Sequence, residues 1–463
     1  MTMETMTARE APQGKPLPWV GHLLHLAHYG MYDFLLKEQR ARGDYFRLTL
    51  GPQRMFVIAH PDGIERVLGS NRDNYIKQKS YDSMRMLTGD GLLTMEGDPW
   101  RSRRRLANPA FHRESIRRFV GSISSISREA LAAWRWRIPN GGTLDLHHEM
   151  MLLTLEVVAE TLFGQRMGEA AGDTSGRAFS EALKMLSERG NTGVRLPLHI
   201  PTPANLRFRQ ILQTLDEEVY RILGNAKKES DPHAVPTLVH MLLQARDEDT
   251  GKGLTDRELR NELMTLFLAG HETTALLLTW LFTLLCQHPS VIERAEAEVD
   301  AVLGDRSPTA EDVPKLVYLR QIVDEALRLR PPAWSIARDT LADDVIGGFQ
   351  VRSGDVVLPA IYLVHRHPDF WSNPERFDPE RFSPERAKSR HHFSYLPFSL
   401  GPRICIGNIF ALTEATVMLA TLIQQVRITM DDPRSIQMNA GITLRPSGPV
   451  PVRVRWRRAR AQA

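Results

Sequence analysis

The sequence predicts a mainly α protein with small peripheral β-sheets (α+β), and three observations carry that prediction. Helical apolar periodicity dominates from about Pro61 to Leu303. Strand-like alternation is confined to short runs near the two ends of that body. No strand–helix–strand alternation recurs, which argues against an open parallel sheet.

Residues 1–15 are expected to be disordered or extended, and Pro16-Leu-Pro-Trp-Val-Gly21 is a stiff approach to a single domain spanning residues 16–455. Tyr45 to Leu50 and Met55 to Ala59, separated by Gly51-Pro52, read as a hairpin. The helical body follows, punctuated by turns such as Pro201-Thr-Pro203. Thr255-Asp-Arg-Glu258 is a capping-box pattern that opens a long apolar run, which His288-Pro289 ends near Gln287. Such a helix of roughly 30 residues would be ~45 Å long and, being apolar almost all round, would lie at the centre of the domain. Strand character returns at Asp344 to Ala360, with turns at Gly347-Gly348 and Ser353-Gly354. A last hairpin is expected to pair Ile442-Thr-Leu444 with Val450 to Val454 around Pro446-Ser-Gly448, ahead of a basic tail over residues 456–463.

The 463 residues are 42% hydrophobic and 25% charged, enough for a large core. Two cysteines, Cys286 and Cys405, cannot build a disulfide framework, so a cytoplasmic location is expected. Met1 to Gly14 has no apolar core of signal-peptide length, and no run reaches the ~18 apolar residues of a membrane span. The most apolar run, Leu276 to Cys286, reads as buried helix, and no transmembrane anchor is expected. The net charge of +4 is spread out, apart from Arg101 to Arg105 and Trp456 to Arg460, and no nucleic-acid-binding motif accompanies it. A docking face for an acidic protein partner is the better use of those charges.

The most specific feature is Phe398-Ser-Leu-Gly401-Pro-Arg403-Ile-Cys405-Ile-Gly407, followed by helical periodicity from Asn408 to Val426. Cys405 thus sits just ahead of a helix N-terminus, where free N–H groups and the helix dipole favour a thiolate. Gly401 supplies a turn that a side chain would oppose, and Gly407 removes a Cβ where a flat cofactor must lie. Arg403 is a fixed cation suited to a cofactor carboxylate. Cys286, before His288-Pro289, has no such company and reads as core.

Within the central helix stands Ala269-Gly270-His271-Glu272-Thr273-Thr274, polar where the periodicity predicts core. Thr273 can bond back to the carbonyl of Ala269 and loosen the local ladder. Gly270 lets a ligand approach the backbone. Glu325-Ala-Leu-Arg328 places an acid and a base on one helical face, and Arg330-Pro331-Pro332 ends that helix. Two similar segments follow, Pro374-Glu-Arg-Phe377 and Pro379-Glu-Arg381-Phe382.

From about Pro16 to Val454 the chain resembles the cytochrome P-450 superfamily, whose haem loop has every fixed position present around Cys405. The resemblance implies haem b (iron protoporphyrin IX) held between the long central helix and the cysteine-loop helix, with Cys405 as the metal ligand. Phe398, Gly401, Gly407, Ala269 and Gly270 would lie against the haem. Trp100 and Arg104, in Trp100-Arg-Ser-Arg-Arg104, Arg338, in Ala333-Trp-Ser-Ile-Ala-Arg338, and Arg403 would hold its propionates. Glu272 and Thr273 match the family's acid–alcohol pair, with His271 non-catalytic. Glu325, Arg328 and Arg381 match its structural triad, Arg381 being chosen over Arg376 by spacing.

The implied activity is monooxygenation, with dioxygen and two electrons inserting oxygen into a C–H bond of a lipophilic substrate. No flavin or iron–sulfur module follows Ala463, so a separate ferredoxin or flavodoxin-type donor with its reductase is expected, docking near Cys405 with Arg101 and Arg103 contributing. A monomer is expected. The substrate pocket would be lined by Tyr81, Met84, Met86, Leu87, Leu92, Leu93, Trp334, Ile336, Ile442 and Leu444. Gly91-Leu-Leu-Thr-Met-Glu-Gly97 and Tyr362-Leu-Val-His-Arg-His-Pro368 point to a fatty acid. A terpenoid, macrolide or steroid is the alternative. A non-oxidative haem-thiolate sensor or a peroxide-dependent enzyme would have no need of Glu272 and Thr273.

Overall fold

The computed structural model describes residues 8–166, 178, 181–186, 197–228, 237–247 and 251–457. The capping box forms as the sequence predicts: Glu258 N donates to Thr255 Oγ1 at 3.3 Å, and Thr255 N donates to Glu258 Oε2 at 2.8 Å. From it the central helix runs Asp256–Cys286. It is long and apolar enough to cross a membrane, but 83% of its apolar window lies inside the protein. It packs most extensively on the helix Leu146–Phe163 and also touches the helices Pro203–Lys228, Val317–Leu329 and Asn408–Gln425. A methyl group on Gly270 would meet Val158 Cγ2 at 3.0 Å, so this glycine lets the first two helices cross closely.

The helix Asn408–Gln425 follows Cys405 and packs on the helix Arg113–Arg137, where the Phe119 and Phe410 rings meet edge-on at 6.3 Å. Almost all of this packing falls into one continuous apolar core, to which Leu263, Leu278, Val417 and Leu422 contribute with no exposure. The cysteine loop and the central helix are therefore fixed by one rigid helical layer.

The sheets lie around this body. Tyr45–Leu50 and Gln53–Ile58 form the expected hairpin, in register Tyr45↔Ile58. It continues through Val356–Pro359, parallel to the second strand, then Arg338–Thr340 and Tyr75–Ile76. Asp344–Ile346 and Phe349–Val351 make a separate hairpin.

The C-terminal hairpin does not form as expected. Leu444–Pro446 pairs with Met438–Ala440, while Pro451–Trp456 pairs with Gly142–Asp145 on one edge and Val426–Thr429 on the other. The last strand buries Val452 and Val454 and has both edges satisfied by distant strands, so Leu444 takes a nearer partner. Trp456 belongs to this strand, and Arg457 reaches Asp300 at 2.8 Å, so neither lies in a free tail. At the other end Arg9 to Gln13 run extended, with Ala11 buried, and Arg47 N donates to Pro12 O at 2.9 Å.

Candidate active site

Between the central helix and the cysteine loop lies a cavity of about 370 Å³. Ala269, Gly270, Glu272 and Thr273 line one wall, and Phe398, Cys405 and Gly407 line the opposite one.

The loop's shape follows from its residues. Gly401 has φ +73°, and a Cβ there would fall 2.2 Å from Leu68 O. Ser399, at φ 61°, also occupies the left-handed region, a sparsely populated conformation for a non-glycine residue. Between them these turns bring Cys405 N to donate to Phe398 O at 2.9 Å and leave the sulfur open to the cavity, deep inside the protein. Burial raises the thiol's pKa, while the Gly407 N–H, Arg104 and Lys77 pull it down. Cys286, by contrast, donates to Ile428 O at 3.4 Å and is pushed up to about 12 by burial.

Cations gather at one rim of the cavity. Arg403 stacks on Trp100 at 3.7 Å and pairs with Glu96, yet its Nη1 is buried without a protein partner. Arg338 is buried and donates to Ala337 O at 2.8 Å. Lys77, which sequence reasoning missed, is buried beside them with Nζ donating to Leu93 O at 3.1 Å. Burial, together with Arg338 and Arg403, pushes its pKa well down. Three basic side chains thus converge where Glu96 pairs with Arg403, and an unpartnered guanidinium nitrogen is left over, which is the environment that a pair of propionates satisfies. Gly407 fits the same group: a Cβ there would meet no protein atom nearer than Phe111 Cε1 at 3.9 Å. Arg104 sits apart from this cluster on the sulfur side, donating from Nη1 to Ile404 O at 2.9 Å.

Opposite the sulfur, Thr273 Oγ1 donates to Ala269 O at 2.6 Å, the backward bond expected from the sequence. Glu272 is buried, which raises its pKa against the opposing pull of Arg445 and Thr443. Thr443 Oγ1 donates to Glu272 Oε1 at 2.9 Å, and Arg445 Nη2 bonds the same oxygen. His271 points elsewhere, with Nε2 at 3.0 Å from Met151 O, and burial lowers its pKa to about 4.

The family model for cytochrome P450 matches residues 12–451. This chain belongs to the cytochrome P450 family. It is 34% identical to a cyclooctat-9-en-7-ol 5-monooxygenase of Streptomyces melanosporofaciens, over 91% of this chain and 90% of that one. It is 32% identical to a pentalenene oxygenase of Streptomyces avermitilis, over 93% of each. Among solved structures it resembles the haem domain of cytochrome P450DA, with a TM-score of 0.87, 29% identity, and 97% and 98% of the two chains covered. The protein is a cytochrome P450 monooxygenase, an oxidoreductase of a haem-thiolate family.

The rest of the P450 site divides into residues that meet and residues that do not. Arg328 grips Glu325 through two bonds, at 2.7 and 2.8 Å, and Arg381 Nε lies 3.4 Å from Glu325 Oε1. The competing Arg376 offers only its carbonyl, to Arg328 Nη2 at 3.2 Å. His365, missed in the sequence, ties this cluster to the approach to the cysteine loop: Leu396 N donates to its Nε2 at 3.0 Å.

Of the expected pocket residues, Tyr81, Leu92, Leu93, Ile336 and Ile442 do line the cavity. Met84, Met86 and Leu87 instead pack into the main core, because the short helix Asp82–Thr88 turns them inward. Trp334 and Leu444 sit in a second cluster around Phe34 and Phe46. Leu162, Leu183, Thr265 and Ser335 take their places on the wall. Arg103 is corrected as well. It is buried against Glu258 at 2.7 Å and Glu262 at 3.3 Å, on the inward face of the helix Gly97–Ala107, so it cannot serve a docking surface.

Proposed function

We propose that this P450 hydroxylates a terpenoid, an apolar cyclic hydrocarbon or a lightly oxygenated one. The observation that carries the reading is the cavity wall: among the described residues, every cation on it already has a partner or faces the propionate rim. Apart from Glu272, an acid, the other polar side chains near the substrate space, such as Thr265, Ser335 and Ser399, are neutral. A fatty acid would bring a carboxylate for which no spare cation stands ready. The two Streptomyces relatives named above support the same choice by what they oxidise.

Cys405 would hold the haem iron, Gly407 would admit the ring, and Lys77, Trp100, Arg338 and Arg403 would hold the propionates. The bound haem supplies oxidation of a C–H bond by dioxygen and two electrons. A separate ferredoxin- or flavodoxin-type donor would deliver them. The chain's own residues do the rest. Leu92, Leu93, Ile336 and Ile442 exclude water and orient the substrate by shape. Thr273 has its proton directed at Ala269 O, so its oxygen lone pairs face the groove, and Glu272 holds or releases a proton at its carboxylate.

Titrating the haem-loaded enzyme with pentalenene and with dodecanoic acid, read by the haem absorption shift, tests the substrate class. Saturable binding of pentalenene with no response to dodecanoic acid is expected. The reverse pattern would overturn the terpenoid reading.

A further inference from the structure

Arg445 is absent from the haem loop, the acid–alcohol pair and the triad, yet it forms an ion pair with the acid of the pair. Its hairpin is pinned at three backbone points. Trp334 Nε1 donates to Gly441 O at 2.8 Å, Leu444 N donates to Pro332 O at 2.9 Å, and Trp280 Nε1 donates to Leu444 O at 2.8 Å. Trp280 belongs to the central helix two turns after Glu272, so acid and hairpin share one rigid frame. Within that frame Thr443 and Arg445 both bind Glu272 Oε1. Among the described residues no hydrogen bond engages Oε2, although Glu272 lines the cavity. The carboxyl is thus tethered by one oxygen and open at the other.

We propose that Arg445, seconded by Thr443, is a positioning residue for oxygen activation, which anchors Glu272 Oε1 so that Oε2 alone takes up and hands on the proton. An ion pair in a poorly solvated site favours the charged acid, against the burial that favours the neutral one. The other ionisable groups nearby do not replace it. His147, on the helix Leu146–Phe163, is held neutral by burial at about 4, with Arg445 lowering it further, and His271 faces Met151. This inference rests on Glu272 delivering protons.

The test compares haem-loaded wild type, Arg445→Gln, Arg445→Lys, Thr443→Val, Glu272→Gln and the double variant Glu272→Gln/Arg445→Gln. Infrared difference spectra at neutral pH need no substrate. The band of a buried protonated carboxylic acid, assigned by its loss in the double variant, should be stronger in Arg445→Gln than in wild type and Arg445→Lys. With pentalenene as probe, turnover of Arg445→Gln should fall roughly tenfold, a fraction of the ~10²–10⁴-fold that a positioned proton-transfer group contributes. Thr443→Val should fall less, and Arg445→Lys should recover most of the loss. The double variant should be no slower than Glu272→Gln, because Arg445 acts through that acid. If Arg445→Gln does not fold, Arg445→Lys and Thr443→Val carry the same comparison.

An infrared band no stronger in Arg445→Gln than in wild type, or a double variant slower than Glu272→Gln by the full Arg445 factor, overturns the proposal while leaving the role of Glu272 intact. If Glu272→Gln itself turns over normally, the proton-delivery reading falls and takes the proposal with it.

Discussion

Two acid–arginine pairs lie within the same helical body and differ in how completely their hydrogen-bonding capacity is used. Glu325 and Arg328 have side chains 0% and 0% exposed. Both carboxylate oxygens accept from Arg328, Asp378 N adds a third bond at 2.8 Å, and the remaining Arg328 N–H groups donate to the carbonyls of His365, Pro374 and Arg376. Glu272 and Arg445 are 5% and 22% exposed, one carboxylate oxygen does the binding, and the other faces the cavity. A buried ion pair with every valence satisfied can only brace. One with an open oxygen can also exchange a proton. Burial and charge are shared by the two pairs, so what separates scaffold from chemistry here is the unspent oxygen.

The largest effect should come from the saturated pair. Arg328→Ala leaves the buried Glu325 with only the longer contact to Arg381, at 3.4 Å, as counter-charge, and should cost about 3–5 kcal/mol. Thermal or denaturant unfolding of the haem-loaded protein measures this, and a loss under 1 kcal/mol, roughly the worth of an exposed pair, would erase the contrast. Glu272→Gln should behave oppositely. Turnover of pentalenene should fall by about a hundredfold, within the range for a proton-transfer group, while the unfolding midpoint stays near that of wild type. Thr273→Ala removes the hydroxyl but not the acid, so product per electron should fall by about threefold. Unchanged yield per electron would remove Thr273 from the proton path.

A third pair, Glu262 with Arg103, sharpens the comparison through pH. Glu262 Oε2 accepts from Leu92 N at 3.1 Å, which ties the cavity loop to the central helix. Burial raises its pKa from 4.5 to about 7, against the pull of Arg103 and the Leu92 N–H. The folded state therefore binds this proton more tightly than the unfolded one. Its contribution is full below about 4.5 and is lost as pH rises through about 7. The unfolding temperature should decline over that window in wild type, and Glu262→Gln should flatten the decline. An identical slope in both proteins would count against a raised Glu262.

What the sequence made legible was local. The cysteine loop, the capping box, the Thr273–Ala269 bond and the Glu325–Arg328 pair each lie within a few consecutive turns, where spacing alone dictates geometry. The choice of Arg381 over Arg376 also came through, by resemblance. The missed residues, Lys77, His365, Thr443 and Arg445, act across long separations, and no periodicity marks them. Lys77 sits at the end of a two-residue strand, and Arg445 on a strand whose partner was misassigned. Met84, Met86 and Leu87 looked like cavity wall because they are apolar, but a side chain's direction depends on how its short helix is docked. Arg103 failed for the same reason: four arginines in five residues read as surface, while one face of their helix packs on the core.

The parallel pairing of Gln53–Ile58 with Val356–Pro359 joins segments about 300 positions apart, and Pro451–Trp456 closes on Gly142–Asp145 over a similar span. Contacts of this separation form only after a large loss of chain freedom, which slows folding. On the ribosome, Lys77 and Trp100 must wait for Arg338 and the cysteine loop before the cavity can close. The binding chamber is therefore completed late, and the chain is expected to capture its cofactor as a nearly folded molecule, with little affinity for it earlier in synthesis.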